Sequence, residues 1–415
     1  MTAAKKSVTV NGREYRWPTS PLVVICCDGS EPAYIESAIA RGLMPNIAGI
    51  IRRGADLRGD SVIPSFTNPN NLSIVTGRPP SYHGISGNFF VDPETGKEVM
   101  MNHPRYLRAP TIFKAFQQAG ATVAVVTAKD KLRLLLGDGL TLAAGRAVCF
   151  SSEKADTCTL QENGIEKVLE MMGRGLPDVY SLELSEFVLA AGVKLMAKMR
   201  PDIMYLSTTD YIQHKHAPGS AGADAFYVML DRHVGELDAS GAVIVLTADH
   251  GMKDKHLANG EPDVLYLQDY LDNKLGKGRS RVILPITDPY VAHHGALGSF
   301  ATVYLDAGLD VAEVCRDIAG LAGIHEVTNR AEGCRRYELP EDRLGDLIVI
   351  SRDSKVVGTS ASNHDLSQLD EPLRSHGGIT EQTIPIIVNR RLRNLPDKLR
   401  NFDAFAIGLN HVVAG

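Results

Sequence analysis

Seven residues spread over most of the chain carry side chains that together could run metal-assisted chemistry: Asp28, Thr67, Asp210, His214, Asp249, His250 and His376. The carboxylates and imidazoles suffice for two cation sites, and the threonine hydroxyl, shared between them, would be the nucleophile. An alcohol needs a base or a metal to act near neutral pH. The chain offers metal ligands but no convincing Ser-His-Asp arrangement. Mixed imidazole and carboxylate ligation suits Zn2+, with Mn2+ or Fe2+ as substitutes.

The local spacing agrees with that chemistry. Asp210 and His214 stand four apart in Asp-Tyr-Ile-Gln-His, which puts both on one face of a helical turn. Asp249-His250-Gly251 ends an apolar run, a corner where adjacent side chains can bend toward neighbouring ions, and His376-Gly377-Gly378 supplies a distant imidazole. Thr67 precedes Pro69 in the first turn of a helix-like segment, where unpaired N–H groups and the helix dipole favour an anion. Read locally, Thr67 serves equally as a helix N-cap.

These residues need elements that bring them together. Each aspartate follows an apolar, β-branched run: PLVVICC before Asp28, DIMYLSTT before Asp210 and AVIVLTA before Asp249. Such runs predict buried strands of a parallel sheet, and ligands bind in the crevice beyond the carboxyl ends of such strands. VAVVTA (123–128) predicts another core strand, and 110–118 and 181–199 predict covering helices. VTVNGREYRW turns at Asn11-Gly12 and predicts a small hairpin. Between 285 and 360 the pattern becomes strand, helix, strand, strand. The expected division is therefore an N-terminal β-ribbon (1–20), an α/β core carrying the metals (21–284 and 361–415), and a small α+β cap insertion (285–360).

At 415 residues the chain can bury a large core, and a net charge of −5 argues against a nucleic-acid groove. No apolar stretch approaches the roughly 18 residues of a membrane span, and the start lacks a secretory apolar region, so the expectation is a cytoplasmic protein with no membrane partner. Oligomeric state is not encoded legibly, and a homodimer stays open. Of the six cysteines, Cys26 and Cys27 abut Asp28, but adjacent strand residues face opposite ways and both read as core. His216, His293 and His294 are expected to be structural or solvent-facing.

The run from Pro64 through Thr67, Asn71 and Thr76-Gly77 to His83-Gly84-Ile85 and Asn88 is followed by Asp210-x-x-x-His214, Asp249-His250-Gly251 and His376-Gly377. This set resembles the alkaline phosphatase superfamily, within it the nucleotide pyrophosphatase/phosphodiesterase branch, and in that branch the phosphonoacetate hydrolases, over about Leu22 to Val388. The resemblance implies an alkaline-phosphatase-like α/β/α sandwich with a mainly parallel central sheet. It implies one zinc held by Asp28, Asp249, His250 and the Thr67 hydroxyl, and a second held by Asp210, His214 and His376. It further implies a small phosphonate substrate, phosphonoacetate, cleaved at its C–P bond to acetate and phosphate through phospho-Thr67.

In phosphonoacetate hydrolases a lysine pair binds the substrate carboxylate and an asparagine contacts the phosphonate; the matching residues are Lys129, Lys131 and Asn88, with Thr67 and His214 also at the substrate. Without the resemblance, Lys129-Asp130-Lys131 reads as a solvated basic turn opening a helix. The rivals are a phosphodiesterase or nucleotide pyrophosphatase on the same scaffold and, further off, a non-catalytic metal- or phosphate-binding module. A sulfatase fits less well, because its Cys-x-Pro-x-Arg site is replaced by Thr67-Asn68-Pro69-Asn70-Asn71.

Overall fold

The computed structural model describes residues 7–288, 295–367 and 369–413. Its centre is a seven-stranded sheet in the order Ala55–Asp60, Thr383–Val388, Val243–Thr247, Leu22–Cys26, Ile203–Ser207, Val123–Thr127, Ala147–Ser151. The last five are mutually parallel; Thr383–Val388 runs antiparallel to both its neighbours, so the sheet is mixed and mainly parallel. The three strands that precede Asp249, Asp28 and Asp210 are consecutive in this order. Strands lie about 4.8 Å apart, so the aspartates leave the sheet side by side although the sequence separates them widely.

Both faces of the sheet are covered, which is why its five parallel strands are buried along their whole length. Val23 and Ile25 join a core with Phe187, Leu206 and Phe226 beneath the helices Leu182–Met199 and Ala221–Ala239. Val24 and Cys26 join the opposite core with Leu72, Phe113 and Phe405, beneath Thr67–Thr76 and Ile112–Gln118. Cys26 and Cys27 thus fall in opposite cores, as alternation requires, and burial pushes the Cys27 thiol up to about 12.

The hairpin pairs Ser7–Val10 with Arg13–Arg16, and Asn11 and Gly12 take φ of 53° and 69°. That is the geometry a two-residue turn of the favoured hand demands. A second, antiparallel sheet has the order Ser280–Ile283, Phe300–Leu305, Leu347–Ser351, Ile324–Asn329. Two features of it depart from the expected pattern. Ser280–Ile283 joins it from before residue 285, and a helix, Arg330–Tyr337, separates the last two strands in sequence, capped by the Asn329 side chain on Glu332 N. Its apolar core includes Ile63 and Phe66, so the segment leading to Thr67 is anchored in the second sheet. Among the described residues no helix is long and apolar enough to cross a membrane.

Candidate active site

Thr67 is the first residue of the helix Thr67–Thr76, and extended Phe66 occupies the N-cap position with no side-chain cap. The N-cap alternative for Thr67 is therefore set aside. Its Oγ1 lies 3.5 Å from His250 Nε2, at a helix end whose N–H groups and dipole favour negative charge. Phe66 is fixed edge-on between the rings of His376 and Phe300, at 5.5 and 6.3 Å.

Two groups of ligand atoms converge nearby, Asp28 with Asp249 and His250, and Asp210 with His214 and His376; within each group the atoms lie within 4.8 Å of one another. His250 Nε2 is 3.3 Å from Asp28 Oδ1 and 3.8 Å from Asp249 Oδ2. Asp210 Oδ2 is 3.0 Å from His214 Nε2 and 3.5 Å from His376 Nε2. The His250 and His376 rings, one from each group, stack at 3.7 Å and 7°.

The hydrogen bonds behind the imidazoles decide how they are protonated. His214 Nδ1 faces Arg374 O at 2.7 Å, His250 Nδ1 faces Gly251 O at 2.9 Å, and His376 Nδ1 faces Ser65 O at 2.7 Å. A carbonyl only accepts, so each Nδ1 carries the proton, and in the neutral ring the Nε2 lone pair points at carboxylates. For His376, burial and then the neighbouring His250 and His214 push the pKa well below its usual value, which favours the neutral ring. Burial, with Asp210 and Asp249 adding to it, pushes Asp28 well above the usual carboxylate range, and its buried Oδ1 has no hydrogen-bond partner among the described residues. Asp210 goes the other way: burial opposes ionisation, but His214, His376 and His250 outweigh it. Lone pairs facing carboxylates, with an orphaned carboxylate oxygen among them, are a donor set that fits divalent cations.

Asn71 holds this arrangement from beneath. Its Nδ2 donates to Asp249 Oδ2 and Thr67 O, each at 3.1 Å, while its Oδ1 accepts from Tyr205 Oη at 2.7 Å and Ser207 Oγ at 3.0 Å. Asn71 belongs to the motif around Thr67 but carries no assigned role in the sequence; an asparagine one helical turn from Thr67 was the available signal.

A cavity of about 420 Å³ is lined by Thr67, Asp28, Asp210 and His376 and also by Asn88, Lys129 and Lys131. Asn88 Oδ1 accepts from Asn68 N at 3.4 Å, which leaves its Nδ2 as the end able to donate to a ligand. Lys129 occupies the N-cap position of the helix Asp130–Leu136 just past the Val123–Thr127 strand, and its Nζ sits 5.3 Å from the Tyr180 ring centre. Burial lowers its pKa. Lys131 Nζ is gripped by Asp288 through both carboxylate oxygens, at 2.8 and 3.0 Å. Neither Asp288 nor Tyr180 was foreseen, and no local pattern marks them.

His214 is 5% exposed, held between Asp210 Oδ2, which faces its Nε2, and Arg374 O, which faces its Nδ1. His216 ends the short helix Tyr211–Lys215, its carbonyl accepting from Tyr34 Oη at 2.8 Å and its ring against Gly222, a structural position. His293 and His294 lie outside the described residues.

The chain belongs to the type I phosphodiesterase / nucleotide pyrophosphatase family, whose model matches residues 22–379. Within that class it is 61% identical to the phosphonoacetate hydrolase of Sinorhizobium meliloti 1021, solved with phosphonoacetate and with phosphonoformate; the match covers 98% of this chain and 99% of that one, with a TM-score of 0.95. Murine ectonucleotide pyrophosphatase / phosphodiesterase 5 shares the fold at 17% identity and TM-score 0.63, covering 93% of each chain. An uncharacterized pyrophosphatase/phosphodiesterase of Schizosaccharomyces pombe is 26% identical over 246 residues, 56% of this chain and 45% of that protein. A 31-residue stretch is 58% identical to phosphonoacetate hydrolase of Penicillium oxalicum, 7% of this chain and 43% of that protein. The chain thus spans less than half the length of these curated relatives.

Proposed function

We propose that this chain is a zinc-dependent hydrolase that cleaves the C–P bond of phosphonoacetate to acetate and phosphate. The observation that carries the reading is one cavity lined by the Thr67 hydroxyl, by carboxylate and imidazole donors, and by two lysines. Asp28, Asp249, His250 and Thr67 would hold one Zn2+ and Asp210, His214 and His376 the second, with Mn2+ or Fe2+ as substitutes. Bound cations supply Lewis acidity that makes the Thr67 hydroxyl ionisable and offsets phosphonate charge.

The chain's own residues then do the following. Thr67 Oγ1 attacks phosphorus in line while the N-terminal N–H groups of its helix and Asn88 Nδ2 hold phosphonate oxygens. A P–O bond forms, the P–C bond breaks, and its electron pair moves through the methylene carbon into the carboxylate as an enediolate. Lys129 and Lys131 stabilise that dianion more than the ground state, which lowers the barrier rather than merely tightening binding. Protonation at carbon releases acetate, and water attack on phospho-Thr67 releases phosphate and restores the hydroxyl.

The second reading is phosphodiester or pyrophosphate hydrolysis, favoured by the family as a whole. It needs room for an uncharged or stacked ester group where the lysines stand, and two cations there favour a small anionic leaving group. We further propose that 285–360 acts as a cap on a core formed by 21–284 and 361–415, with 1–20 a peripheral ribbon, and we place the protein in the cytoplasm on its free thiols. Release of phosphate from phosphonoacetate and from a phosphomonoester, and of the alcohol from a phosphodiester, each with and without added zinc, tests the reading. Zinc-dependent release from phosphonoacetate far above the others is expected; release from the diester alone overturns it.

A further inference from the structure

A buried ion pair lies outside the cavity. Lys255 and Glu381 both have fully buried side chains, with Nζ 2.9 Å from Oε1. Lys255 Nζ also donates to Asp353 O, just past the Leu347–Ser351 strand of the second sheet. Burying two charges costs desolvation that their attraction barely recovers, so stability alone is a weak reason for such a pair.

Its contacts lead toward the site along two routes. On the first, Gly251 N donates to Glu381 O at 2.7 Å, and Gly251 O accepts the proton of His250 Nδ1 at 2.9 Å. On the second, Gly378 N donates to Glu381 Oε2 at 2.9 Å, and Ser65 Oγ donates to Gly378 O at 2.8 Å. Ser65 N donates to Gly377 O at 3.2 Å, and Ser65 O accepts from His376 Nδ1 at 2.7 Å. The carbonyls that set the tautomer and aim of the two stacked imidazoles therefore converge on one residue, Glu381.

We propose that the Lys255–Glu381 pair is a positioning element for the metal centre: it holds Gly251 O and Ser65 O in place, and through them the direction of the His250 and His376 Nε2 lone pairs. The Glu381 side chain accepts from Gly378 N and Thr380 Oγ1 as well as from Lys255 Nζ, so all three contacts fix its place. The inference rests on the metal-binding reading of His250 and His376.

The test measures cobalt and zinc affinity by competition with a chelator, together with the visible spectrum of the cobalt-loaded chain. Lys255→Met/Glu381→Met removes both charges and leaves none unpaired; Lys255→Gln/Glu381→Gln keeps an acceptor for Gly378 N–H. The methionine pair is expected to bind metal about 10–100-fold more weakly, the usual effect of losing support behind a ligand, with an altered cobalt spectrum. The glutamine pair is expected to recover most of both. A wild-type chain that binds no cobalt overturns the metal reading and the inference with it. A wild-type chain that binds cobalt, beside a folded methionine pair with unchanged affinity and spectrum, overturns the inference alone. Should the methionine pair fail to fold, Ser65→Ala removes the Ser65 Oγ–Gly378 O link of the second route without touching a charge: a shifted cobalt spectrum supports the inference and an unchanged one overturns it.

Discussion

Asp28, Asp210 and His376 line one cavity with the lysines at 129 and 131, but the donors and the lysines are held in different ways. The donors are fixed by backbone: three aspartates sit at the ends of adjacent strands, and three imidazoles each rest on a carbonyl. The lysines are placed by other side chains, Lys131 by the Asp288 carboxylate and Lys129 over the Tyr180 ring. Geometry set by backbone tolerates little change, whereas geometry set by long side chains can be retuned by a few substitutions. On the proposed function, the rigid group defines the reaction and the adjustable group chooses the leaving group.

The largest expected effect falls on the rigid group. Thr67→Ala should lower phosphate release by on the order of a thousandfold or more, as loss of a nucleophile does, with metal content by elemental analysis unchanged. Next, exhaustive chelation should abolish activity and lower Tm, and added zinc should restore both. Each site is expected to contribute about 2.7 kcal/mol when free zinc exceeds its Kd a hundredfold.

The adjustable group should respond more mildly and more selectively. Lys131→Ala or Lys129→Ala should reduce kcat/KM for phosphonoacetate roughly tenfold to a hundredfold, the loss of one charged hydrogen bond, while leaving metal affinity intact. An equal fall for a neutral phosphodiester would erase the distinction between the groups. The smallest effect concerns stability. Burial lowers the Lys129 pKa, so below that folded-state value the protein carries the cost of a buried ammonium, and stability rises as pH climbs through it. Lys129→Met should therefore raise Tm slightly at neutral pH, read by calorimetry, while impairing turnover.

This contrast also explains what the sequence revealed. Strand-end aspartates were legible because an apolar run followed by a carboxylate is a local pattern, and Asp210-x-x-x-His214 is a helical spacing. The same runs predicted parallel strands, whereas the antiparallel Thr383–Val388 that makes the sheet mixed was not read from them. The Asp288–Lys131 contact was not legible, because it joins side chains 157 positions apart and nothing in either segment names its partner. Ser280–Ile283 was missed as part of the second sheet for a similar reason: four residues predict a strand without saying which sheet receives it. Asn71 was visible but mute, since hydrogen-bonding capacity shows in a sequence and direction does not.

The most direct test of the account is mass spectrometry of the zinc-loaded protein, acid-quenched while it turns over phosphonoacetate. A phosphoryl group on the peptide carrying Thr67, absent in Thr67→Ala and absent without substrate, is the predicted result. Full turnover with no phosphorylated Thr67, or with phosphate on another residue, would contradict it.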